Sequence, residues 1–234
     1  MLERLLLACT QVSTCLGPQL LTTASGFFFR RDARLFLVTS RHVLIDAPTG
    51  HLPDGIRFAL HTDGSDLTRV ASVALPLYAG GMAIWRQGED TGGAIDVAAI
   101  EIDGSLLPHY ANYEAFTPAQ LPAVLDEVAL GSPVLVVGFP LGFHDTLHHL
   151  PVARHGAVAS AFGVRFQGQG CFLTDARTHR GMSGAPVVAR AGAAVSLLGI
   201  HSSRMDMSSR DQSQDDTLGL NVAWYADILL TLTA

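Results

Sequence analysis

The sequence predicts an all-β protein, on three observations. It carries 23 glycines and 11 prolines in 234 residues. Sustained helical periodicity is scarce. Short apolar runs rich in Val, Ile, Leu and Phe recur instead, separated by turn-forming residues. At 48% hydrophobic and 15% charged residues the chain can bury a sizeable core. One large domain or two small barrels would both accommodate it. A net charge of −6 with no basic run argues against a nucleic-acid partner. Cys9, Cys15 and Cys171 are odd in number and lack metal-ligand spacing. That count speaks against a disulfide-stapled secreted domain and for a reducing compartment.

The N-terminus contains Leu6-Leu7-Ala8-Cys9, which has the look of a lipoprotein cleavage box. The apolar stretch covers only residues 5–8, with Glu3 and Arg4 before it. A signal peptide needs an apolar region of roughly 7–15 residues. Residues 2–12 are therefore read as a short helix or strand packed on the body, and the protein as cytoplasmic. No run approaches membrane-spanning length.

From Gly26 the strand rhythm is clear. Residues 26–30 and 34–39 read as a hairpin. Ser40-Arg41-His42-Val43 follows, placing a histidine at the end of a buried strand, on rigid scaffold. Histidine suits general-base work near neutral pH, although one among apolar residues also serves plain structure. Residues 55–60 and 70–77 read as further strands, and 78–93 as a Gly-rich surface loop. Residues 94–102 form an apolar strand that begins around Asp96. A carboxylate there needs a hydrogen-bonding partner. It reads either as a loop cap or as an orienting group for an imidazole.

The first barrel is assigned to residues 1–110 and the linker to 111–127; the strand rhythm breaks from Pro108, with Pro118 and Pro122 following. The second barrel covers 128–222 and a terminal helix 223–234, with Trp224, Ile228 and Leu229 at helical spacing. Within the second half, strands are expected at 133–140, 171–174, 185–189, 196–201 and 217–222, and a long hairpin over 152–166. Residues 204–216 are polar and read as a mobile loop. His144, His148 and His149 read as loop histidines, because strands flank them and only Asp145 adds a carboxylate. No metal and no cofactor is expected.

The chemistry centres on Gly181-Met182-Ser183-Gly184-Ala185-Pro186. Glycines on both sides of a serine permit positive φ and a tight turn. Such a turn can expose the hydroxyl and converge two N–H groups on a developing oxyanion. Taken alone, the motif is equally a glycine-rich turn before a strand. Taken in order, His42 in T-S-R-H-V-L, Asp96 in D-V-A-A-I and Ser183 in G-M-S-G-A-P resemble the chymotrypsin-like serine peptidases. The resemblance runs from about Gly26 to the C-terminal helix. It implies two six-stranded antiparallel barrels, the trypsin-like fold, with the site in the cleft between them. It implies Ser183 as nucleophile, His42 as base, Asp96 as orienting acid, and Gly181 and Ser183 N–H groups as the oxyanion hole. Ser202 would support Asp96 and the substrate backbone.

Met182 stands where the digestive members carry an aspartate that pairs with a freshly cut N-terminus, and no I-V-G-G signature is present. Activation of that kind is not expected. The motifs look more similar to bacterial and HtrA-like members, Thr174-Asp175-Ala176 included. Arg177 occupies the position six before the serine, where a trypsin-type pocket needs an acid. Gly199-Ile200-His201 resembles glutamyl endopeptidases, which implies that His201 and Thr178 bind an acidic side chain. The expected partner is a protein or peptide substrate, and a regulatory protein is compatible with a cytosolic protease. A catalytically silent trypsin-fold protein that binds a peptide is the competing expectation. An α/β-hydrolase esterase is not, because the Ser–acid–His order is missing.

Overall fold

A computed structural model describes residues 3–123, 128–205 and 218–234. The predicted polar loop falls largely outside these residues, as does the start of the strand expected at 217. A four-residue helix, α1 (Arg4–Leu7), leads into β1 (Cys9–Leu16). Then follow β2 (Gln19–Arg31), β3 (Arg34–Thr39), the single helical turn α2 (Arg41–Leu44), β4 (Gly55–His61) and β5 (Val70–Pro76). The short pair β6 (Tyr78–Ala79) and β7 (Met82–Ala83) precedes β8 (Trp85–Asp90) and β9 (Gly93–Ile102). The second half contains β10 (Pro133–Gly138), β11 (Val152–Ala157), β12 (Cys171–Thr174), β13 (Pro186–Ala191), β14 (Ala194–Arg204) and β15 (Asn221–Tyr225). It ends in α3 (Ile228–Leu232).

Apart from the separate β6–β7 pair, the strands form two antiparallel sheets, of order β5-β4-β1-β2-β3-β9-β8 and β11-β10-β13-β14-β15-β12. The fold is all-β and trypsin-like. The first sheet has seven strands among the described residues, one more than the six expected. Three hydrophobic clusters explain the arrangement. One fills the first sheet around Phe28, Leu37, Leu44 and Ile100. A second fills the other sheet around Val136, Phe172, Met182 and Val187. The third joins them through Phe27, Phe29, Phe36, Val97, Val188 and Ile200.

The consecutive phenylalanines 27–29 follow from this. Side chains alternate across a strand. Phe28 therefore enters the first interior, while Phe27 and Phe29 enter the inter-sheet core. All three are at most 1% exposed. Each such side chain contributes about 2–3 kcal/mol relative to an exposed one. Phe116, from the segment between the sheets, closes on Phe27 edge-to-face at 5.4 Å.

Several expectations are corrected. The N-terminal segment does not merely pack on the body. After one helical turn it becomes β1, between β4 and β2, with Val12 and Thr14 fully buried. Residues 78–93 are not a plain loop, because β8 is an edge strand paired with β9. Its polar, half-exposed pattern hides it from a period-two search. Residues 152–166 do not form a hairpin: β11 pairs with β10, and positive φ at Gly163, Gln167 and Gly168 keeps the following segment irregular. Trp224 belongs to β15, opposite Cys171 and Ile200, so the terminal helix is limited to α3.

Candidate active site

His42 and Asp96 are brought together by one strand pair. Strands β3 and β9 run antiparallel, with Thr39 opposite Ala98 as the last partners. Two residues further along the same register, Asp96 reaches the level of the α2 turn that starts after Ser40. Asp96 Oδ1 accepts the backbone N–H of His42 at 2.8 Å. Asp96 Oδ2 lies 2.7 Å from His42 Nδ1. A carboxylate only accepts, so Nδ1 carries the proton and Nε2 is left as the acceptor. Burial opposes the charged forms of both groups. The mutual hydrogen bond and charge outweigh it, raising the His42 pKa above its ordinary 6.5 and lowering that of Asp96.

The second sheet supplies two serines. Strand β14 has a bulge against β15 between His201 and Ser203. A bulge re-aims side chains. Here Ser202 Oγ donates to Asp96 Oδ2 at 2.5 Å, while its neighbour His201 points into the core at 2% exposure. Ser183 lies in the turn before β13, and its hydroxyl donates to the Ser202 carbonyl at 3.0 Å. Ser202 thus links the nucleophile candidate to the carboxylate. The hydroxyl points at this carbonyl, not at His42.

The backbone around Ser183 is tightly specified. A turn over residues 179–182 is closed by Met182 N–H to the His179 carbonyl at 3.2 Å, with Gly181 at φ +89° as its third residue. Positive φ there is the type II signature. Arg180's carbonyl accepts from Leu141 N–H at 2.6 Å. In a trans peptide the Gly181 N–H points the opposite way. Among the described residues, neither that N–H nor Ser183 N–H has a protein acceptor. Met182 is fully buried in the second interior.

Beside this turn lies a cavity of about 230 Å³, lined by Arg177, Thr178, His179, Arg204, Gly219 and Asn221, among others. Thr178 reaches its wall, but its hydroxyl donates to Asn221 Oδ1 at 2.5 Å. His201 is not in the lining. Its side chain is buried with Nδ1 unpartnered, and burial, then the His42 and Arg204 charges, push its pKa down to about 4. It is neutral at pH 7. The two residues expected to recognise an acidic side chain are therefore not presented to it as a pair. The cationic groups at the wall are Arg177 and Arg204. Partial desolvation, then Arg154, Arg177 and Arg204, depress the pKa of His179. Among the described residues Arg177 is exposed and makes no ion pair. The loop histidines lie elsewhere: His148 pairs with Asp145 at 2.8 Å, and no metal-holding group of three was found among the described residues.

Two antiparallel sheets that bring a serine, a histidine and an aspartate together define a trypsin-like fold. The chain belongs to the trypsin-like peptidase domain family, whose model matches residues 24–197. Solved structures agree in fold. The serine endoprotease from Yersinia pestis aligns with TM-score 0.60 and 16% identity, over 98% of this chain and 62% of that one. The HtrA-type protease AlgW with tripeptide gives 0.59 and 19%, over 98% and 60%. This chain thus spans under two thirds of the length of these structures. No curated protein sequence matches it.

Sequence reasoning missed Ser25, Thr39 and Ser40, all fully buried. Ser40 Oγ donates to the His201 carbonyl at 3.2 Å, and Thr39 Oγ1 to the Ser25 carbonyl at 2.8 Å. A serine before an apolar run (Ser25) and Thr39-Ser40 at the end of one were the only signal, and that signal is common.

Proposed function

We propose that this protein is a serine endopeptidase. Ser183 attacks the scissile carbonyl as its proton passes to His42 Nε2. The N–H groups of Gly181 and Ser183 receive the oxyanion. His42 then gives its proton to the leaving amine as the C–N bond breaks, leaving an acyl-enzyme. A water, deprotonated by His42, then adds to the acyl carbon; as the ester bond to Ser183 breaks, His42 returns the proton to Ser183 Oγ and the product acid leaves. Asp96 keeps the proton on Nδ1 and stabilises the imidazolium. The observation that carries this reading is the continuous contact from His42 through Asp96 and Ser202 to Ser183, drawn from both sheets. The first step needs the Ser183 hydroxyl to turn from the Ser202 carbonyl towards His42. Such tightening on substrate binding is common in unliganded sites. A fluorophosphonate probe should label the wild-type chain at Ser183 and not the Ser183→Ala variant. Absence of labelling and of peptide cleavage would favour the silent, peptide-binding alternative.

The base must be neutral to accept a proton. Activity should therefore rise with pH through the His42 pKa. Because that pKa is raised, the acid limb of kcat/KM should have its midpoint above 6.5. A midpoint clearly below that value would contradict the Asp96–His42 pairing.

We also propose a preference for cleavage after acidic residues, now resting on the cationic wall of the cavity and not on His201. Replacing Arg177 by glutamate should lower the ratio of kcat/KM for glutamate over glutamine at the scissile position by about fivefold, the scale of an exposed charge pair. An unchanged ratio would remove Arg177 from recognition. Three buried, unpaired thiols support a reducing compartment, in keeping with a cytoplasmic protein.

A further inference from the structure

We propose that Ser25 is a positioning residue for the oxyanion hole, acting through the backbone of residues 180–184. The inference rests on the serine-peptidase reading of Ser183. Ser25 lies on β2 of the first sheet, yet every polar atom it has is engaged near the nucleophile. Its hydroxyl donates to the Gly181 carbonyl at 2.8 Å and accepts the Phe139 N–H at 2.9 Å. Its N–H donates to the Ser183 carbonyl at 3.0 Å. Its own carbonyl accepts from Thr39.

With Leu141, these bonds fall on three of the four peptide planes between residues 180 and 184. Leu141 N–H holds the peptide between residues 180 and 181, which carries the Gly181 N–H. The Ser25 hydroxyl holds the next one, between 181 and 182. The Ser25 N–H holds the plane between 183 and 184. The peptide that carries the Ser183 N–H lies between the two planes that Ser25 fixes. Rotating the Gly181 N–H away from the cleft would break the Leu141 bond; the Ser183 N–H peptide is held directly by Ala185 N–H, which donates to the Met182 carbonyl at 2.9 Å, and is flanked on both sides by planes that Ser25 fixes.

The packing leaves little room for another arrangement. Ser25 is 0% exposed. A side chain at Gly181 would meet the Phe139 carbonyl at 2.6 Å and Leu141 N at 3.0 Å. Side chains at Gly138 or Gly184 would overlap Ser25 itself. Leu141 holds φ +54° although it is not glycine, and its side chain is 71% exposed. That segment therefore keeps an unfavourable backbone without side-chain burial to hold it. Strain of this kind persists where the surroundings impose it and is concentrated at functional sites. The Phe139 bond to Ser25 is one of the restraints on it.

The test compares Ser25→Ala, Ser25→Cys and Thr10→Val with the wild-type chain. Thr10 is a control: its hydroxyl, in the same sheet and 2% exposed, donates to the Ala59 carbonyl at 2.9 Å. Loss of a whole oxyanion donor costs about 10²–10³ in kcat, so a misplaced one should cost about 10- to 100-fold. Ser25→Ala should show that fall with KM within about twofold. Its affinity for a peptidyl aldehyde, which mimics the tetrahedral intermediate, should fall by the same factor as kcat/KM. Ser25→Cys, with a weaker donor, should lie between, and it decides the matter if the alanine variant does not fold. Thr10→Val should keep kcat within about twofold. Wild-type kcat and aldehyde affinity in folded Ser25→Ala would overturn the proposal, as would equal losses in Thr10→Val. Amide hydrogen exchange over residues 180–184 should accelerate in Ser25→Ala and not in Thr10→Val, a readout independent of turnover. If the wild-type chain neither cleaves nor labels, the peptidase reading falls, and exchange alone still tells whether Ser25 restrains this turn.

Discussion

Ser183→Ala is expected to lower kcat by about 10⁶-fold, the scale seen when a nucleophile that acts as one unit with its base is removed. The structure explains why nothing nearby can substitute. Ser202 has its hydroxyl committed to Asp96, and Ser25 and Ser40 are buried with their hydroxyls bonded to backbone carbonyls. The variant should fold, because the lost hydroxyl makes a single bond, to the Ser202 carbonyl. The cleavage rate on a chromogenic glutamyl peptide, with an unfolding midpoint measured alongside, checks this. Residual activity within about 100-fold of wild type would point to another nucleophile. Binding of the peptide should survive, since the cavity and the Gly181 N–H are unaltered.

Asp96→Asn should cost about 10⁴ in kcat while leaving the fold intact. The side chain is isosteric, so its carbonyl oxygen can keep the contact to the His42 N–H, while its amide group takes the Oδ2 position and can donate to Ser202 Oγ. The remaining amide group is a donor. Facing His42 Nδ1 it favours the tautomer with the proton on Nε2, which can no longer accept from Ser183. Loss of the negative charge also removes what raises the His42 pKa, so the surviving activity should show its acid limb at lower pH. A kcat within tenfold of wild type would mean that Asp96 merely anchors the α2 turn.

The fold class and the three side chains of the candidate site were legible in sequence for the same reason: each is signalled locally. Apolar runs broken by glycine and proline mark strands. A histidine after a buried strand, an aspartate in an apolar strand and a serine between glycines are each visible within a few residues. The edge strand β8 was not legible, because after Trp85 it holds only polar residues and glycine and so shows no apolar–polar alternation. Nor was the true end of the last strand: Trp224 fits a helical spacing as well as it fits a strand facing Cys171.

Everything that depends on two distant segments meeting had to come from tertiary structure. The bulge in β14 depends on its pairing with β15, and it turns Ser202 towards Asp96 while sending His201 into the core. Sequence spacing alone made His201 a pocket residue. Ser25 has no motif, since its importance comes from a β2 position that lies against a turn 156 residues away. Local pattern thus specified which chemical groups this protein carries. Long-range packing selected their partners, because the hydrogen bonds that build the site, such as His42–Asp96, Ser202–Asp96 and Ser25–Gly181, join residues 54, 106 and 156 positions apart.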